Sequence, residues 1–289
     1  MSAEAHGPSA GEYIQHHLQH LQKDFSFNSV KQTSIVDFSV FNLDSVFYSV
    51  VLGVIACFFL WRAARKATSG VPGRFQAAVE ILAEMVENQA KGVIHNAQSR
   101  KLISPLALTV FVWIFLMNFM DMIPVDLIPQ IWHNAGPALG FKDYMRVVAT
   151  ADLSTTLGLS TAVLLVCLFY NIKIKGLGGW AHELIAAPFG NHWALWPVNF
   201  LMQMIEYIAK TVSHGMRLFG NMFAGELVFM LIALMGGGWA LSATGVGLAI
   251  GHVIAGTVWT LFHILVITLQ AFIFMMLTLI YTGQAHDAH

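Results

Sequence analysis

The stretch LFHILVITLQAFIFMMLTLIYT, at residues 261–282, decides the fold class of this chain. A helix needs about 20 apolar residues to cross the roughly 30 Å hydrocarbon core of a bilayer, and this stretch is long enough. It carries no formal charge, and neither does the longer segment at 227–286. Such a run is typical of membrane-spanning helices and is not expected in a soluble domain.

The composition extends this conclusion to the whole chain of 289 residues. Hydrophobic residues make up 56% and charged residues 11%, whereas a soluble domain has about 25% charged residues. A soluble globular enzyme and a disordered chain are therefore excluded. The net charge of −1 gives no reason to expect nucleic-acid binding. Cys57 and Cys167 lie in apolar runs, without a disulfide framework or a CxxC metal site.

We predict an all-α, polytopic membrane protein with five to six membrane-embedded helices and one amphipathic surface helix. Shorter uncharged runs predict spans at 45–61, 102–120 and 153–172, and the last two long helices are predicted at about 191–235 and 240–282. Acidic residues interrupt the helical apolar pattern at 72–101, which predicts the amphipathic surface helix. The segment 121–152 is predicted to be a loop.

Basic residues predict the orientation in the membrane. Nine Lys and Arg residues fall in predicted cytoplasmic segments and four in predicted external segments, which places the N-terminus outside and the C-terminus in the cytoplasm. The nine are Arg62, Arg65, Lys66, Arg74, Lys91, Arg100, Lys101, Lys173 and Lys175, and the four are Lys23, Lys31, Lys142 and Arg146. The polar, histidine-containing N-terminal tail, 1–43, is interpreted as solvated rather than metal-binding. It lacks the features of a cleavable signal peptide.

Polar residues in the last third form a stripe on one predicted helix. At 100° per residue, one face collects Gln203, Glu206, Lys210, Arg217 and Asn221, and His214 borders it. Glu226 falls on the opposite face. In the next helix His263 and Gln270 are seven residues apart and share a face. Ionisable groups in a membrane are costly, which makes each of them a candidate functional residue.

Two interpretations of this stripe remain open. Glu206 and Lys210 are spaced i, i+4 in the favourable order, so a purely structural pair explains them. Arg217 has no acid three or four residues away, and Glu226 has no base at that spacing. Opposite charges without local partners favour a conduit for ions over a scaffold.

The segment MRLFGNMFAGE, at 216–226, resembles subunit a of the bacterial F-type rotary ATP synthases. Further stretches follow in the order of that family, and the resemblance covers nearly the whole chain after the N-terminal tail. They are SVVLG at 49–53, KATSGVPG at 66–73, PLALTVFVWIFLMNFMD at 105–121, HWALWPVN at 192–199 and FHILVITLQAFIFMMLT at 262–278.

The resemblance implies a stator subunit in which two aqueous half-channels load and unload protons on the carboxylates of a rotating ring of c subunits. Arg217 would be the essential barrier between the half-channels and the partner of the ring carboxylate. The implied proton path contains Asn221, Glu226, His263 and Gln270. The resemblance also implies a single membrane domain at 44–289 with ion-path helices at about 191–282. The last two helices would be strongly tilted.

The implied partners are the c ring, the peripheral-stalk b subunits and the lipid bilayer of the bacterial inner membrane, with no nucleic acid. No cofactor or metal is implied, and the chain has no phosphate-binding loop for ATP. We expect the coupling ion to be H⁺ rather than Na⁺ because His263 lies in the implied path.

Some residues do not follow the family pattern or have an ambiguous role. The family often has an acid at the position of Gln203, and Glu206, one turn later, either replaces it or pairs with Lys210. The aspartates of the loop either form a negatively charged entrance or are solvated loop charges. They are Asp121, Asp126 and Asp152. The glycine-rich connection at 235–258, His214 and His252 have no assigned role.

Two other classes of membrane protein were considered. His252 and His263 are eleven residues apart on one helix face, and a redox protein can bind haem through two histidines. That arrangement usually requires two facing helices. A secondary cation transporter is the other class, but the sequence shows no repeated halves.

Overall fold

The computed structural model of the chain is almost entirely helical. It describes residues 10–30, 32, 37, 39–124, 127–135, 145–186, 189–190, 192–237 and 242–284. The elements in these residues are α1 (Ala10–His17), β1 (Gln22–Asp24), β2 (Val40–Asn42), α2 (Leu43–Lys66), α3 (Arg74–Val93), α4 (Ala97–Phe119), α5 (Leu127–Ala135), α6 (Leu153–Ala186), α7 (Trp196–Gly237) and α8 (Ala243–Gly283). Single 3-10 turns lie at Met120–Met122, Ala149–Ala151 and Trp193–Leu195.

Five helical segments in the described residues are long and apolar enough to cross a membrane. They are Leu43–Lys66, Ala97–Met122, Leu153–Ala186, Trp193–Gly237 and Ala243–Gly283. Each corresponds to one span predicted from the sequence. The predicted all-α, polytopic membrane fold is therefore confirmed, at the lower end of the expected number of helices.

The outer surfaces of these helices are apolar. Val54 is 64% exposed, Val258 64% and Leu261 66%. A soluble protein rarely leaves large contiguous apolar patches in contact with water. A lipid bilayer solvates such side chains well, and the backbone groups are satisfied within the helices. The exposed apolar surface thus supports membrane insertion independently of composition.

Two predicted segment boundaries were wrong. The amphipathic helix α3 ends at Val93 rather than at 101, and the next helix already begins at Ala97. Arg100, on α4, stabilises this turn because its guanidinium donates to the carbonyl of Ile94 at 2.8 Å and lies 3.5 Å from Glu87. The segment 121–152 is not simply a loop, because it contains α5 and a buried stretch near Met145 and Val148.

Helix α6 continues well beyond the predicted end at 172. It runs to Ala186 but is interrupted at Gly176, whose φ of 73° is in the left-handed region. Glycine adopts this conformation without a steric penalty, so it allows the chain to turn between two helical pieces. An ion pair between Lys175 and Glu183, at 2.8 Å, joins the two sides of the interruption.

Helices α7 and α8 are about twice as long as a membrane span. They contain 42 and 41 residues, and a rise of 1.5 Å per residue gives each a length of roughly 60 Å. A straight helix of that length fits within a roughly 30 Å hydrocarbon core only at a tilt of about 60°. The length therefore supports the strong tilt that the resemblance implied.

The chain divides into two compact units. Unit 1 comprises the described residues of Met1–Gly53, Phe115–Asp152 and Gly220–Thr268. Unit 2 comprises those of Val54–Ile114, Leu153–Phe219 and Leu269–His289. In unit 1 the two short strands pair antiparallel, with Lys23 opposite Phe41. Each unit contains a group of polar residues.

Candidate functional site

Helix α7 has exposed polar side chains and a buried carboxylate. Arg217 and Asn221 are one turn apart and both exposed, as the predicted stripe requires. Glu226, in contrast, is only 6% exposed. This difference in burial agrees with the helical arithmetic that separated Glu226 from the stripe. Arg217 and Asn221 thus lie at the surface, whereas Glu226 faces protein.

In unit 1 Glu226 is paired with Arg146. The guanidinium Nε donates to Glu226 Oε1 at 3.1 Å, and Nη2 donates to Oε2. Arg146 is itself only 5% exposed. Two-point contacts of this kind have fixed geometry and are strong. Glu226 thus has a base after all, 80 residues away in the chain, where no helical spacing could reveal it.

Arg146 was missed as a site residue by the sequence analysis, which counted it among external loop charges. One signal could have identified it. Arg146 lies between Met145 and the pair Val147-Val148, an apolar context that is unusual for a solvated loop arginine. The structure buries Met145 and Val148 on either side of it.

Arg146 also connects the N-terminal tail to this group. Its Nη1 donates to His20 Nε2 at 2.9 Å, and its backbone N–H donates to Asp44 Oδ2 at 3.1 Å. Asp44 is completely buried and accepts a further hydrogen bond from the backbone of Leu21. His20 is therefore not part of a solvated tail, and that interpretation was wrong for this residue. Packing against Arg146 and Asp44 orders the segment instead.

His263 and Asp121 form a second buried contact in unit 1. His263 Nε2 lies 2.6 Å from Asp121 Oδ2, although the two atoms are not aligned for a hydrogen bond. The side chains are 1% and 3% exposed. Gly225 on α7 makes room for the imidazole, because a Cβ at that position would collide with the ring. Because Gly225 precedes Glu226 in the chain, one polar group contains Asp121, His263 and Glu226, three of the predicted site residues.

The loop aspartates differ from the solvated charges considered as an alternative. Asp121 and Asp152 are each 5% exposed, so that alternative is wrong for both. Asp152 accepts a hydrogen bond from the side-chain amide of Asn42 at 2.9 Å. Asp126 lies outside the residues that the structure describes. Both aspartates therefore belong to the interior of unit 1.

Several polar atoms in unit 1 have no hydrogen-bond partner among the described residues. Asn118 is fully buried, and neither its amide nitrogen nor its oxygen is satisfied. The hydroxyl of Thr150 is in the same situation. Buried polar groups without protein partners are normally satisfied by internal water. Asn118 and Thr150 therefore keep hydrogen-bonding capacity inside unit 1 that the described residues do not use.

Unit 2 contains a cavity of about 1050 Å³. Its wall on α7 is formed by residues spaced three or four apart, as one face of a helix requires. They are Gln203, Glu206, Tyr207, Lys210, Thr211 and His214. Helix α6 contributes Lys175 and Glu183, and α8 contributes Tyr281. The cavity is lined by many groups that can hydrogen-bond water or carry a proton.

Both interpretations of Glu206 are compatible with this geometry. Glu206 Oε1 lies 2.5 Å from Lys210 Nζ, which is the predicted i, i+4 pair. Lys210 also donates to the side chain of Gln284 at 2.9 Å. Glu206 nevertheless lines the cavity together with Gln203. Glu206 therefore both forms an ion pair with Lys210 and lines the cavity.

The remaining predicted residues are distributed over both units. Gln270 is buried in unit 2, whereas His263 belongs to unit 1, although the two share a face of α8. His252 Nδ1 lies 2.7 Å from the backbone carbonyl of Ile232 on α7. Of the two histidines in the haem hypothesis, His252 thus faces a backbone carbonyl and His263 faces a carboxylate.

In the connection at 235–258, α7 ends at Gly237 and α8 begins at Ala243, and residues 238–241 lie outside the described part.

Comparisons with known proteins all point to one family. A family model described as ATP synthase A chain matches residues 46–283. The chain is 70% identical to ATP synthase subunit a of Paracidovorax citrulli over 298 residues, with complete coverage of both chains. It is 69% identical to the subunit a of an Acidovorax species, again with complete coverage. Identity to the subunit a of Shewanella piezotolerans is 49%, with 96% of each chain covered.

Proposed function

We propose that this chain, which belongs to the ATP synthase A chain family, is the stationary subunit that conducts protons through the membrane sector of an ATP synthase. Protons would enter through one polar region, bind to carboxylates on a rotating ring of c subunits, and leave through another. Proton flow would drive rotation and ATP synthesis elsewhere in the complex. The chain itself would not bind ATP, because the phosphate-binding loop motif is absent from its sequence.

One observation carries this proposal. Helix α7 supplies Glu226 to the buried polar group of unit 1 and Gln203, Glu206 and Lys210 to the cavity of unit 2. Between these positions in the sequence lies Arg217, which is exposed. A helix that contributes residues to two polar groups and carries a permanently charged arginine has the parts that a two-channel proton pathway needs.

The chemistry of arginine suits the proposed barrier. Its guanidinium does not deprotonate in proteins, so it cannot pass a proton along a wire. It also favours the ionised form of a nearby carboxylate, which promotes proton release. At 4 Å this attraction is about 4 kcal/mol at an effective dielectric constant of 20. A much drier site would hold the ring too tightly, because 100 mV supplies only about 2.3 kcal/mol per charge.

Unit 1 has the groups expected of an entrance pathway. Glu226 and His263 can both exchange protons, and the carboxylates of Asp121 and Asp152 would attract cations. Arg146 would hold Glu226 in position. The histidine in this group favours H⁺ over Na⁺ as the coupling ion. The cavity of unit 2, with Gln203 and Glu206 in its wall, would be the corresponding exit.

The partners and location follow from the same proposal. The exposed face with Arg217 and Asn221 would contact the c ring, and other surfaces would contact the peripheral-stalk b subunits and lipid. The complex would reside in the bacterial inner membrane. The distribution of basic residues places the N-terminus outside and the C-terminus in the cytoplasm.

The test is ATP-driven acidification of inverted membrane vesicles. Arg217→Ala is expected to abolish acidification at matched amounts of assembled complex, because the barrier and the partner of the ring carboxylate are lost. Arg62→Ala is the matched control, since it removes an exposed arginine from α2, and it should acidify normally. Normal acidification by Arg217→Ala would overturn the proposal.

Arg217→Lys refines the same experiment. Lysine keeps a positive charge but can lose its proton when desolvated, and it lacks the planar guanidinium. We expect this variant to fail as well. Near-normal pumping by Arg217→Lys would show that charge alone suffices at this position.

A further inference from the structure

His214 borders the cavity of unit 2 and has no role in the mechanism above. Its ring stacks on Phe274, with 3.8 Å between centroids, and lies at the edge of Tyr281, at 5.7 Å. The residue is 2% exposed. Aromatic neighbours thus hold the imidazole in one position in the wall of the cavity.

Both ring nitrogens of His214 lack a hydrogen-bond partner among the described residues. Leaving a polar group buried and unsatisfied is energetically unfavourable. Phenylalanine would give the same stacking on Phe274 without that cost. The presence of a titratable ring here therefore calls for an explanation other than packing.

The position of His214 along α7 supplies that explanation. The cavity wall on this helix extends from Gln203 to His214, and His214 is the last of its residues before Arg217. His214 is three positions before Arg217 in the chain, which corresponds to a rise of about 4.5 Å along the helix axis. A protonatable side chain lies where the cavity comes nearest in sequence to the proposed barrier.

We propose that His214 is a proton relay residue at the inner end of the exit pathway, an inference that rests on the proposed function. A neutral ring nitrogen accepts the proton that a carboxylic acid group of the rotor releases beside Arg217, directly or through a water molecule. The imidazolium then returns this proton to water in the cavity. The imidazole is regenerated, one proton has moved, and no electrons are exchanged.

The surroundings of His214 favour a short-lived positive charge. Lys210 and Arg217 on the same helix oppose a second cation beside them, so the proton is passed on rather than retained. Glu206, in the wall of the same cavity, can accept a proton that leaves His214 along the exit pathway. Tyr207 on the same helix, Cys167 on α6 and Tyr281 on α8 are further titratable groups in the wall of this cavity.

His214→Phe tests the relay because it preserves the stacking and removes both nitrogens. We expect pumping to fall about tenfold. This is less than the roughly 100-fold or more contributed by a positioned acid or base, because cavity water remains as another carrier. A purely structural histidine predicts pumping close to wild type. If His214→Phe does not assemble, the pumping rate of His214→Gln is measured instead, and the same two expectations apply.

Chemical rescue provides a second readout that a structural role would not change. In His214→Ala vesicles, millimolar imidazole should restore most of the lost rate, measured with a membrane-potential dye because imidazole itself dissipates pH gradients. Wild-type vesicles with and without imidazole are the control. Normal pumping by His214→Phe would overturn the relay, and so would failure of imidazole to restore pumping in His214→Ala.

The experiment separates this inference from the proposed function. Arg217→Ala is measured in parallel, and imidazole should not restore it. Loss of pumping in Arg217→Ala with normal pumping in His214→Phe would reject only the relay. Normal pumping in Arg217→Ala would reject the pathway on which the relay depends.

Discussion

At the scale of single residues, the Arg146–Glu226 pair is the main electrostatic feature of unit 1. Both side chains are almost completely buried, and the guanidinium contacts both carboxylate oxygens. Such pairs are weak evidence for net stability, because desolvation offsets most of the attraction. Removing one partner is different, since it leaves the other charge buried and alone.

Arg146→Gln is therefore expected to destabilise the fold by about 3–5 kcal/mol. The double variant Arg146→Gln, Glu226→Gln should recover most of this loss, because no uncompensated charge remains. The measurement is the temperature at which the detergent-purified complex releases this subunit, compared among wild type, both single variants and the double variant. Equal release temperatures for Arg146→Gln and the double variant would show that the pair is not what holds this region together.

At the scale of elements, small residues on α7 allow neighbouring helices to approach closely. A Cβ on Gly215 would lie 2.9 Å from Leu157 and 3.1 Å from the carbonyl of Thr156, both on α6. A Cβ on Gly225 would overlap the ring of His263 on α8. Membrane helices often pack through such small residues, because lipid provides little hydrophobic driving force between them. Gly215 thus allows α6 to approach α7, and Gly225 leaves room for the imidazole of His263.

Gly225→Ala is expected to displace the imidazole of His263 and to destabilise the complex by about 1–3 kcal/mol, the usual cost of overpacking. Pumping should fall with it, because His263 moves away from Asp121. Gly247→Ala on α8 is the control, since a Cβ there has open space and alanine favours a helix by about 1 kcal/mol. If both variants pump and release the subunit like wild type, the close approach at Gly225 has no functional consequence.

At the scale of the whole molecule, the described residues contain five membrane-length helices, and this odd number predicts chain ends on opposite sides of the bilayer. Helix α3 is separate from these five, and its charged residues suit a position at the membrane surface. Basic residues cluster near the end of α2, which is the end expected in the cytoplasm. This asymmetry predicts the orientation of the chain in the membrane.

Thiol labelling tests that orientation. In a background with serine at positions 57 and 167, Ser26→Cys should react with a membrane-impermeant maleimide in intact cells. Ser69→Cys should react only in inverted vesicles, because it follows α2. Both residues are exposed, so access to the reagent depends on the side of the membrane. Labelling of both from the same side would contradict the predicted passage of α2 through the bilayer.

Much of the candidate site was predictable from helical periodicity. Gln203, Glu206 and Lys210 were placed on one face, and the structure brings them to one cavity wall. Spacing rules work here because neighbours on a helix face are set by local geometry. They failed for the contacts of Arg146. Its partner Glu226 is 80 positions away in the chain, and its partner His20 is 126 positions away.

The sequence by itself determined the fold class, the five spans and the polar stripe. Each follows from local quantities, namely the apolar run that a bilayer demands and the 100° turn per helical residue. Only the tertiary structure decided which charges are buried and what they face: Glu226 against Arg146, Asp121 against His263, and His214 at the edge of a cavity. The reason is physical, because burial and pairing depend on segments far apart in the chain that meet only when the helices pack.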